Sequence, residues 1–453
     1  MVIFHDREPE LDALKKIREH SFKQSQMVVL YGRRRAGKTE LVKKFLGLEG
    51  EKGVYVFIGT KSERLVFDDL ATALRAPLGV VPRISSWDDF FEIVFKNGLA
   101  VVMDEFPNIL KVNPAAVSAF QDLWDRHCAS PGCMLIIVGS YVSTIKRMFF
   151  DEKQPLFGRA RYKLNLRPFD FAKTCGFLGS MGVRSARTAC EVYAVLGGVP
   201  HYLMYLEFTD PDGFVRDLFY DFPAPLAEEG KNILVQEFGT EHIGYFSILE
   251  SVASGCTTPK LIIDRTGLKP DTVHKYLYEL AEVYGILKRE YPVGERQNRK
   301  SVRYRMGDSF FDFWFRCVYP DRKGLTDEEF AAYVGVAFER IVTELIPQRY
   351  PEFKECGGWW SKGEEIDVVG IDRKGGEILF CECKWQNRKV AWPEVDGLMR
   401  KSGMVSWRKG RRKERFLVVA REGFTEDCMA KMTGAGIQHW TLADIARMVG
   451  LQQ

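Results

Sequence analysis

Two groups of residues in this chain have the types and spacing to act on phosphate. The first is Gly32-Arg33-Arg34-Arg35-Ala36-Gly37-Lys38-Thr39, set between the apolar run Met27-Val28-Val29-Leu30-Tyr31 and the helical pattern Glu40-Leu41-Val42-Lys43-Lys44-Phe45-Leu46. Strand, glycine-bounded loop and helix in that order make a Walker A arrangement. In it, main-chain N–H groups converge on phosphate oxygens at a helix N-terminus. Lys38 is expected to reach the β- and γ-phosphates, and the Thr39 hydroxyl to bind Mg2+. A second apolar run, Leu99-Ala100-Val101-Val102-Met103, ends in Asp104 and Glu105, the pattern of a strand buried on both faces and closed by acids. Asp104 is expected to hold Mg2+ through water, and Glu105 to polarise the attacking water. A third run, Met134-Leu135-Ile136-Ile137-Val138, leads into Gly139-Ser140, which makes Ser140 a candidate contact to the γ-phosphate or the water. Arg159, in Phe157-Gly158-Arg159, is a candidate arginine finger; a surface arginine is the alternative.

The second group lies in the last third. In the strand-like run Glu377-Ile378-Leu379-Phe380-Cys381-Glu382-Cys383-Lys384-Trp385, Glu382 and Lys384 are two apart and project from one face. A charged pair in an apolar strand is expensive unless it is paired or binds a metal. Asp367 lies in the adjacent expected strand, Glu364-Glu365-Ile366-Asp367-Val368-Val369-Gly370-Ile371. An Asp, a Glu and a Lys brought together in this way suit metal-assisted phosphodiester hydrolysis. The carboxylates bind Mg2+, and the lysine helps deprotonate water or stabilise a pentavalent phosphate.

The elements that must position these residues fill a chain of 453 residues, enough for two to four domains. Hydrophobic content of 46% and charged content of 28% exclude a disordered or fibrous class. A net charge of +4 says little about partners. Ten scattered cysteines without matching His or Cys pairs give neither a disulfide framework nor a structural zinc site. The N-terminus is charged too early for a signal peptide, and no apolar run approaches the ~20 residues of a bilayer span. A soluble cytoplasmic protein is expected. Residues 166–240 read as a helical lid. Residues 241–306 read as helix, helix, helix and a basic two-stranded hairpin carrying Arg296, Arg299, Lys300, Arg303 and Arg305, which is the order of a winged helix. In that geometry Thr272, His274 and Lys275 face a major groove and the hairpin cations meet phosphates. Use of the same fold for packing alone is the alternative. A linker, 307–330, leads to an α/β segment, 331–453. Within that segment the basic run Arg408-Lys409-Gly410-Arg411-Arg412-Lys413 is read as a loop able to grip phosphates or simply solvated.

Several of these motifs carry a resemblance. Phe4-x-x-Arg7-x-x-Glu10-Leu11, the Walker A loop, Met103-Asp104-Glu105-Phe106, Val138-Gly139-Ser140, Phe157-Gly158-Arg159 and Gly197-Gly198-Val199-Pro200-His201-Tyr202-Leu203 resemble, in order, the archaeal-type ATPase family of the STAND branch of AAA+ ATPases. The resemblance implies an ATPase core over 1–165 and adenine preference. It places Arg7 near base and ribose, and Gly198 and Pro200 in a lid beside the nucleotide. Tyr141 stands where relatives often carry Ser. Gly335-Val336-Ala337-Phe338-Glu339, Trp359-Trp360, Asp367 and Glu382-Cys383-Lys384-Trp385 resemble the domain that commonly ends this family, and the PD-(D/E)XK nuclease superfamily. There Glu339 matches an additional helical acid and Ile366 replaces the usual proline.

The expected fold is therefore α/β: a P-loop NTPase with a parallel sheet, a helical lid, a winged-helix domain and a restriction-endonuclease-like domain. The expected nucleotide contacts are Arg7, Gly32, Arg33, Arg34, Arg35, Ala36, Gly37, Lys38, Thr39 and Glu40. Catalytic roles fall to Glu105, Ser140, Arg159, Asp367, Glu382 and Lys384, and metal ligation to Thr39, Asp104, Glu339, Asp367 and Glu382. ATP and Mg2+ are the expected cofactors. DNA and a nucleotide-dependent homo-oligomer are the expected partners. Three functions stay open: an ATP-gated nuclease, an ATP-controlled DNA-binding regulator with an inert nuclease fold, and a self-assembling switch.

Overall fold

The computed structural model describes residues 5–210, 212–239, 242–295, 301–320 and 324–451. Arg296, Arg299 and Lys300, read above as hairpin cations, and Phe4 lie outside them. The chain divides into two compact units, 1–168 and 169–453.

In the first unit, helix α1 (Glu8–Ser21) precedes strand β1 (Gln26–Tyr31), and helix α2 (Lys38–Glu49) follows the loop after it. Strands β2 (Gly53–Phe57), β3 (Ala100–Asp104), β4 (Met134–Gly139) and β5 (Tyr162–Asn165) complete a parallel sheet of order β2-β3-β4-β1-β5. The pattern of β1, β3 and β4 explains their apolar runs: every residue in them is buried, because helices cover both faces. One face packs Leu11 and Leu14 of α1 and Leu41 and Phe45 of α2 against Val28, Leu30, Val102 and Ile136. The opposite face holds an aromatic core in which Phe91 meets Phe120 edge-on at 4.7 Å.

The second unit opens with helices, among them Phe171–Ser180, Ala186–Leu196 and Glu229–Phe238. Helices His242–Ala253, Pro259–Thr266 and Pro270–Tyr278 come next, then an antiparallel hairpin of β6 (Leu287–Glu290) and β7 (Arg303–Met306). The long helix Asp327–Arg349 starts with a capping box, Thr326 with Glu329. It leads into a mixed sheet of β8 (Glu355–Ser361), β9 (Glu364–Asp372), β10 (Glu377–Lys384), β11 (Lys413–Ala420) and β12 (Gln438–Thr441), in the order β12-β11-β10-β9-β8. Strands β8, β9 and β10 pair antiparallel, whereas β10, β11 and β12 pair parallel. Helix Asp327–Arg349 covers the Val368, Leu379 and Cys381 face, and helix Trp392–Ser402 covers the Ile366, Ile378 and Phe380 face.

The segments 166–240, 241–306 and 331–453, read from sequence as separate domains, share one hydrophobic cluster from Phe169 to Leu451. The cause is visible in helix Asp327–Arg349: Tyr333 donates to the Ala194 carbonyl at 2.9 Å, and further along the same helix Glu344 accepts from Tyr193 at 3.0 Å. Gly198 has a packing reason in this core. A Cβ there would lie 1.9 Å from the Phe169 carbonyl oxygen. Among the described residues no helix is long and apolar enough to cross a membrane.

Candidate functional site

The loop after β1 turns through left-handed backbone at Arg35 (φ 66°) and Gly37 (φ 93°), which bends the chain back onto α2. Gly32 sits against the end of β5, where a Cβ would lie 2.2 Å from the Leu166 carbonyl oxygen; only glycine fits. Lys38, 4% exposed, donates to the carbonyls of Gly32 and Arg33, both at 2.8 Å. Its ammonium therefore lies across the mouth of the loop. The Thr39 hydroxyl donates to Asp104 Oδ2 at 2.8 Å. That bond ties the start of α2 to the end of β3, although β4 lies between β1 and β3 in the sheet.

Asp104 accepts two further hydrogen bonds: from the Tyr55 hydroxyl at 2.8 Å on Oδ2, and from the Glu105 N–H at 2.9 Å on Oδ1. Glu105 is held at φ 52°, a left-handed conformation that costs a non-glycine residue energy and commonly marks a functional turn. Its Oε2 is buried with no hydrogen-bond partner among the described residues. Ser140, 9% exposed, follows β4 one residue beyond the Tyr31–Gly139 pair, beside the loop's own strand. Arg34 stacks on Tyr141, its guanidinium 5.0 Å from the ring centroid, and donates to the Tyr141 hydroxyl at 3.2 Å. Thr39 and Asp104 are oxygen donors already in register, a set that suits Mg2+.

Three expected contacts are placed differently. Arg7 is buried and donates to the carbonyls of Ala36 at 3.1 Å and Arg167 at 2.8 Å, so it braces the loop from within. Glu40 is exposed on the first turn of α2 and pairs with Lys43 at 3.9 Å. Arg159 forks onto the Asp125 carboxylate, with its shortest contact at 2.8 Å. That bidentate pair satisfies its guanidinium within this chain.

The second cluster forms where β9 and β10 run side by side. The Cys383 N–H donates to Asp367 Oδ2 at 2.7 Å. Lys384 pairs with Glu382 Oε1 at 2.7 Å, and Lys401, from helix Trp392–Ser402, with Glu382 Oε2 at 3.1 Å. Lys401 also donates to the Glu365 carbonyl at 3.0 Å. Burial and then the Glu382 charge push Asp367 up to about 6. Burial and then Asp367 push Glu339 up to about 8, against the opposing pull of Arg305. Burial opposes the charge of Lys384, yet Glu382 holds its ammonium above the usual range. Burial first, and then the charge of neighbouring carboxylates, disfavours ionisation of both acids. The expected three-acid metal centre is nevertheless not gathered: among the described residues no three His, Cys, Asp or Glu side chains are placed to hold one ion. The two ammonium groups supply the countercharge instead.

The hairpin also differs from its reading. Arg303 pairs with Glu365 at 2.9 Å and lies 4.5 Å from the Trp360 ring centroid. Arg305 pairs with Glu290 at 3.0 Å and approaches Glu339 at 3.9 Å. Arg303 docks the hairpin on the C-terminal sheet, helped by Trp360, which donates to the Ser301 carbonyl at 3.1 Å, whereas Arg305 pairs within the hairpin and reaches toward helix Asp327–Arg349. On the preceding two helices and the turn between them Lys260, Arg265, Lys269, His274 and Lys275 are exposed, while Thr272 is half-buried. In the basic run, the Arg412 side chain is 1% exposed and donates to the carbonyls of Val405, Trp407 and Ser402 at 2.7–3.0 Å. It closes a turn and is not available to phosphate. Lys413 begins β11.

Sequence reasoning missed Tyr55 and Lys401. Neither belongs to a motif, and a strand tyrosine or a helix lysine carries no periodic signal of its role.

The model of an ATPase domain found predominantly in Archaea matches residues 4–206, and a model of archaeal and bacterial proteins of unknown function matches residues 314–395. An uncharacterized protein of Methanocaldococcus jannaschii is 31% identical over 407 residues, 85% of this chain and 88% of that protein. An uncharacterized ATP-binding protein of the same organism is 40% identical over 57 residues, 13% of this chain and 93% of that protein. In fold, the chain is similar to a Walker-type ATPase of Pyrococcus abyssi (TM-score 0.55, 18% identity, 69% of this chain and 96% of that one). It is also similar to the ORC2 protein of Aeropyrum pernix, solved as ADPNP–ADP complexes (TM-score 0.50, 16% identity, 73% of this chain and 94% of that one). The matched ATPase domain contains the whole loop-and-acid constellation, and the likeness to the M. jannaschii protein runs through both units: the chain belongs to the archaeal-type ATPase family.

Proposed function

We propose that this ATPase hydrolyses ATP with Mg2+ at the loop between β1 and α2, and that turnover governs a nucleic-acid-directed phosphodiesterase centre at Asp367, Glu382 and Lys384. The observation that carries the first part is the 2.8 Å bond between Thr39 and Asp104. It joins the two halves of a nucleotide site that lie 65 positions apart in sequence.

Lys38 would exchange its two carbonyl partners for β- and γ-phosphate oxygens, while main-chain N–H groups of the loop bind the same phosphates. Thr39 and Asp104 would hold Mg2+, which neutralises phosphate charge when bound. Glu105 is poised to orient water and accept its proton, since its buried Oε2 lacks a partner among the described residues. Glu105→Gln is expected to keep ATP binding and to lower turnover by about 10²–10⁴-fold. Turnover within twofold of wild type would remove Glu105 from the chemistry.

For the second centre, Asp367 and Glu382 alone, without Glu339, would hold a divalent ion, which polarises a phosphodiester when bound. Lys384 would then release Glu382 and turn to water or phosphate. Helix Pro270–Tyr278 and the turn before it offer exposed cations to a nucleic acid, in the manner of a winged helix whose hairpin is held by the chain itself. A second reading is favoured by a specific observation. The pairing of Glu382 with both Lys384 and Lys401 satisfies the cluster without metal, as in an inert fold that only binds. Nicking of plasmid DNA with Mg2+ or Mn2+ by wild type and not by Asp367→Ala supports the nuclease; equal treatment of DNA and RNA by both proteins supports the inert fold.

A further inference from the structure

We propose that Tyr55 is a positioning residue of the ATPase site. Its hydroxyl fixes the Asp104 carboxylate in the orientation that Thr39 and a divalent ion must share.

The placement follows from strand register. Tyr55 pairs with Val102 and Phe57 with Asp104, so Tyr55 and Asp104 lie diagonally on one face of adjacent strands. That face is the one covered by α2, and the Tyr55 ring packs beside its core. Lys43 of α2 lies 5.8 Å from the ring centroid. Held at its ring, the tyrosine can aim its hydroxyl in few directions, and it meets Asp104 Oδ2 at 2.8 Å. A phenol is protonated at neutral pH, so the hydroxyl serves as a donor. The same oxygen accepts from Thr39 at 2.8 Å. Once the Thr39 hydroxyl turns to an ion, Tyr55 is, among the described residues, the side-chain donor that remains to keep Asp104 from rotating. A phenylalanine would fill the same space and lose only that restraint.

The inference rests on the proposed Mg2+ role of Thr39 and Asp104, and the test separates the two. Calorimetry on the full chain measures binding of ADP and of a non-hydrolysable ATP analogue, in EDTA and in Mg2+. Wild type is expected to bind more tightly with Mg2+; no gain in wild type would sink the Mg2+ role itself. In Tyr55→Phe, affinity in EDTA should stay within about twofold, while the Mg2+-dependent gain shrinks by about tenfold, the scale of one hydrogen bond to a charged group. Tyr55→His, whose shorter ring cannot span the gap, carries the same expectation. In Asp104→Asn, adding Tyr55→Phe should cost nothing further. An undiminished Mg2+ gain in either Tyr55 variant overturns the inference, as does an equal loss of affinity in EDTA and Mg2+, which would make Tyr55 a support of the fold.

Discussion

Both candidate sites are built from carboxylates and lysines, yet they satisfy those groups in opposite ways. In the loop after β1, Lys38 donates to main-chain carbonyls, and Asp104 accepts from two hydroxyls and an amide. Those partners are neutral and can be exchanged for phosphate or metal at modest electrostatic cost. Between β9 and β10, two ammonium groups hold one carboxylate, Glu382, with a second acid beside it. Partly buried ion pairs of this kind are costly to break, so an incoming ion must displace Lys384 or Lys401. The first site is organised for a ligand; the second is neutralised by its own chain and needs an event to open it.

The sharpest way to break this contrast is to remove the neutralising cations. Lys384→Ala is expected to abolish Mn2+- or Mg2+-dependent nicking, a loss of at least about 10²-fold for a group acting on water or phosphate, while ATP turnover stays unchanged. Lys401→Ala frees one oxygen of Glu382 and leaves Lys384 on the other, and should tighten metal binding by several-fold in a titration. Weaker metal binding in Lys401→Ala would mean that this lysine assembles the site and does not block it.

A smaller effect concerns Glu339. Folded, it keeps its proton to about 8, whereas its ordinary value is 4.5. Across that window the native chain holds a proton that the unfolded chain releases, so this residue makes stability fall as pH rises. Asp367, Glu382 and Glu365 face it with negative charge, and Arg305 opposes them. Glu339→Gln should raise the melting temperature at pH 8, by about 1–2 °C for each kcal/mol recovered in a unit of this size, and should have little effect at pH 4.5. An equal change at both values would assign the effect to packing.

The smallest expected difference separates the exposed helix cations from the docked hairpin. Lys275→Ala should weaken DNA binding and lower the salt slope by about one. Arg303→Ala, which removes a partner of Glu365 and Trp360, should leave the slope unchanged. The reverse order would return the hairpin to the DNA face.

Much of the first site was legible because its strands are buried on both faces. Residues in β1, β3 and β4 therefore form unbroken apolar runs, and the loop and acids stand at their ends. Strands β2 and β5 escaped notice: each is short and alternates in burial, so neither has a run to see. Asp367, Glu382 and Lys384 were found because polar residues in apolar strands stand out. Their actual partners were not legible. The Lys401–Glu382 and Arg303–Glu365 pairs join positions distant in sequence, and a surface lysine looks the same whether it meets water or a carboxylate. Arg412 misled for the same reason. A basic run reads as a charged surface, and nothing local reveals that one guanidinium turns inward to close three carbonyls.

The central claim is that the loop before α2 binds a nucleoside triphosphate. Titration of the full chain with ATP and Mg2+ in a calorimeter tests it most directly, with Lys38→Ala beside the wild type. The account predicts saturable heat for the wild type and none for Lys38→Ala at the same concentrations. Equal heats from the two proteins, or none from either, would contradict it.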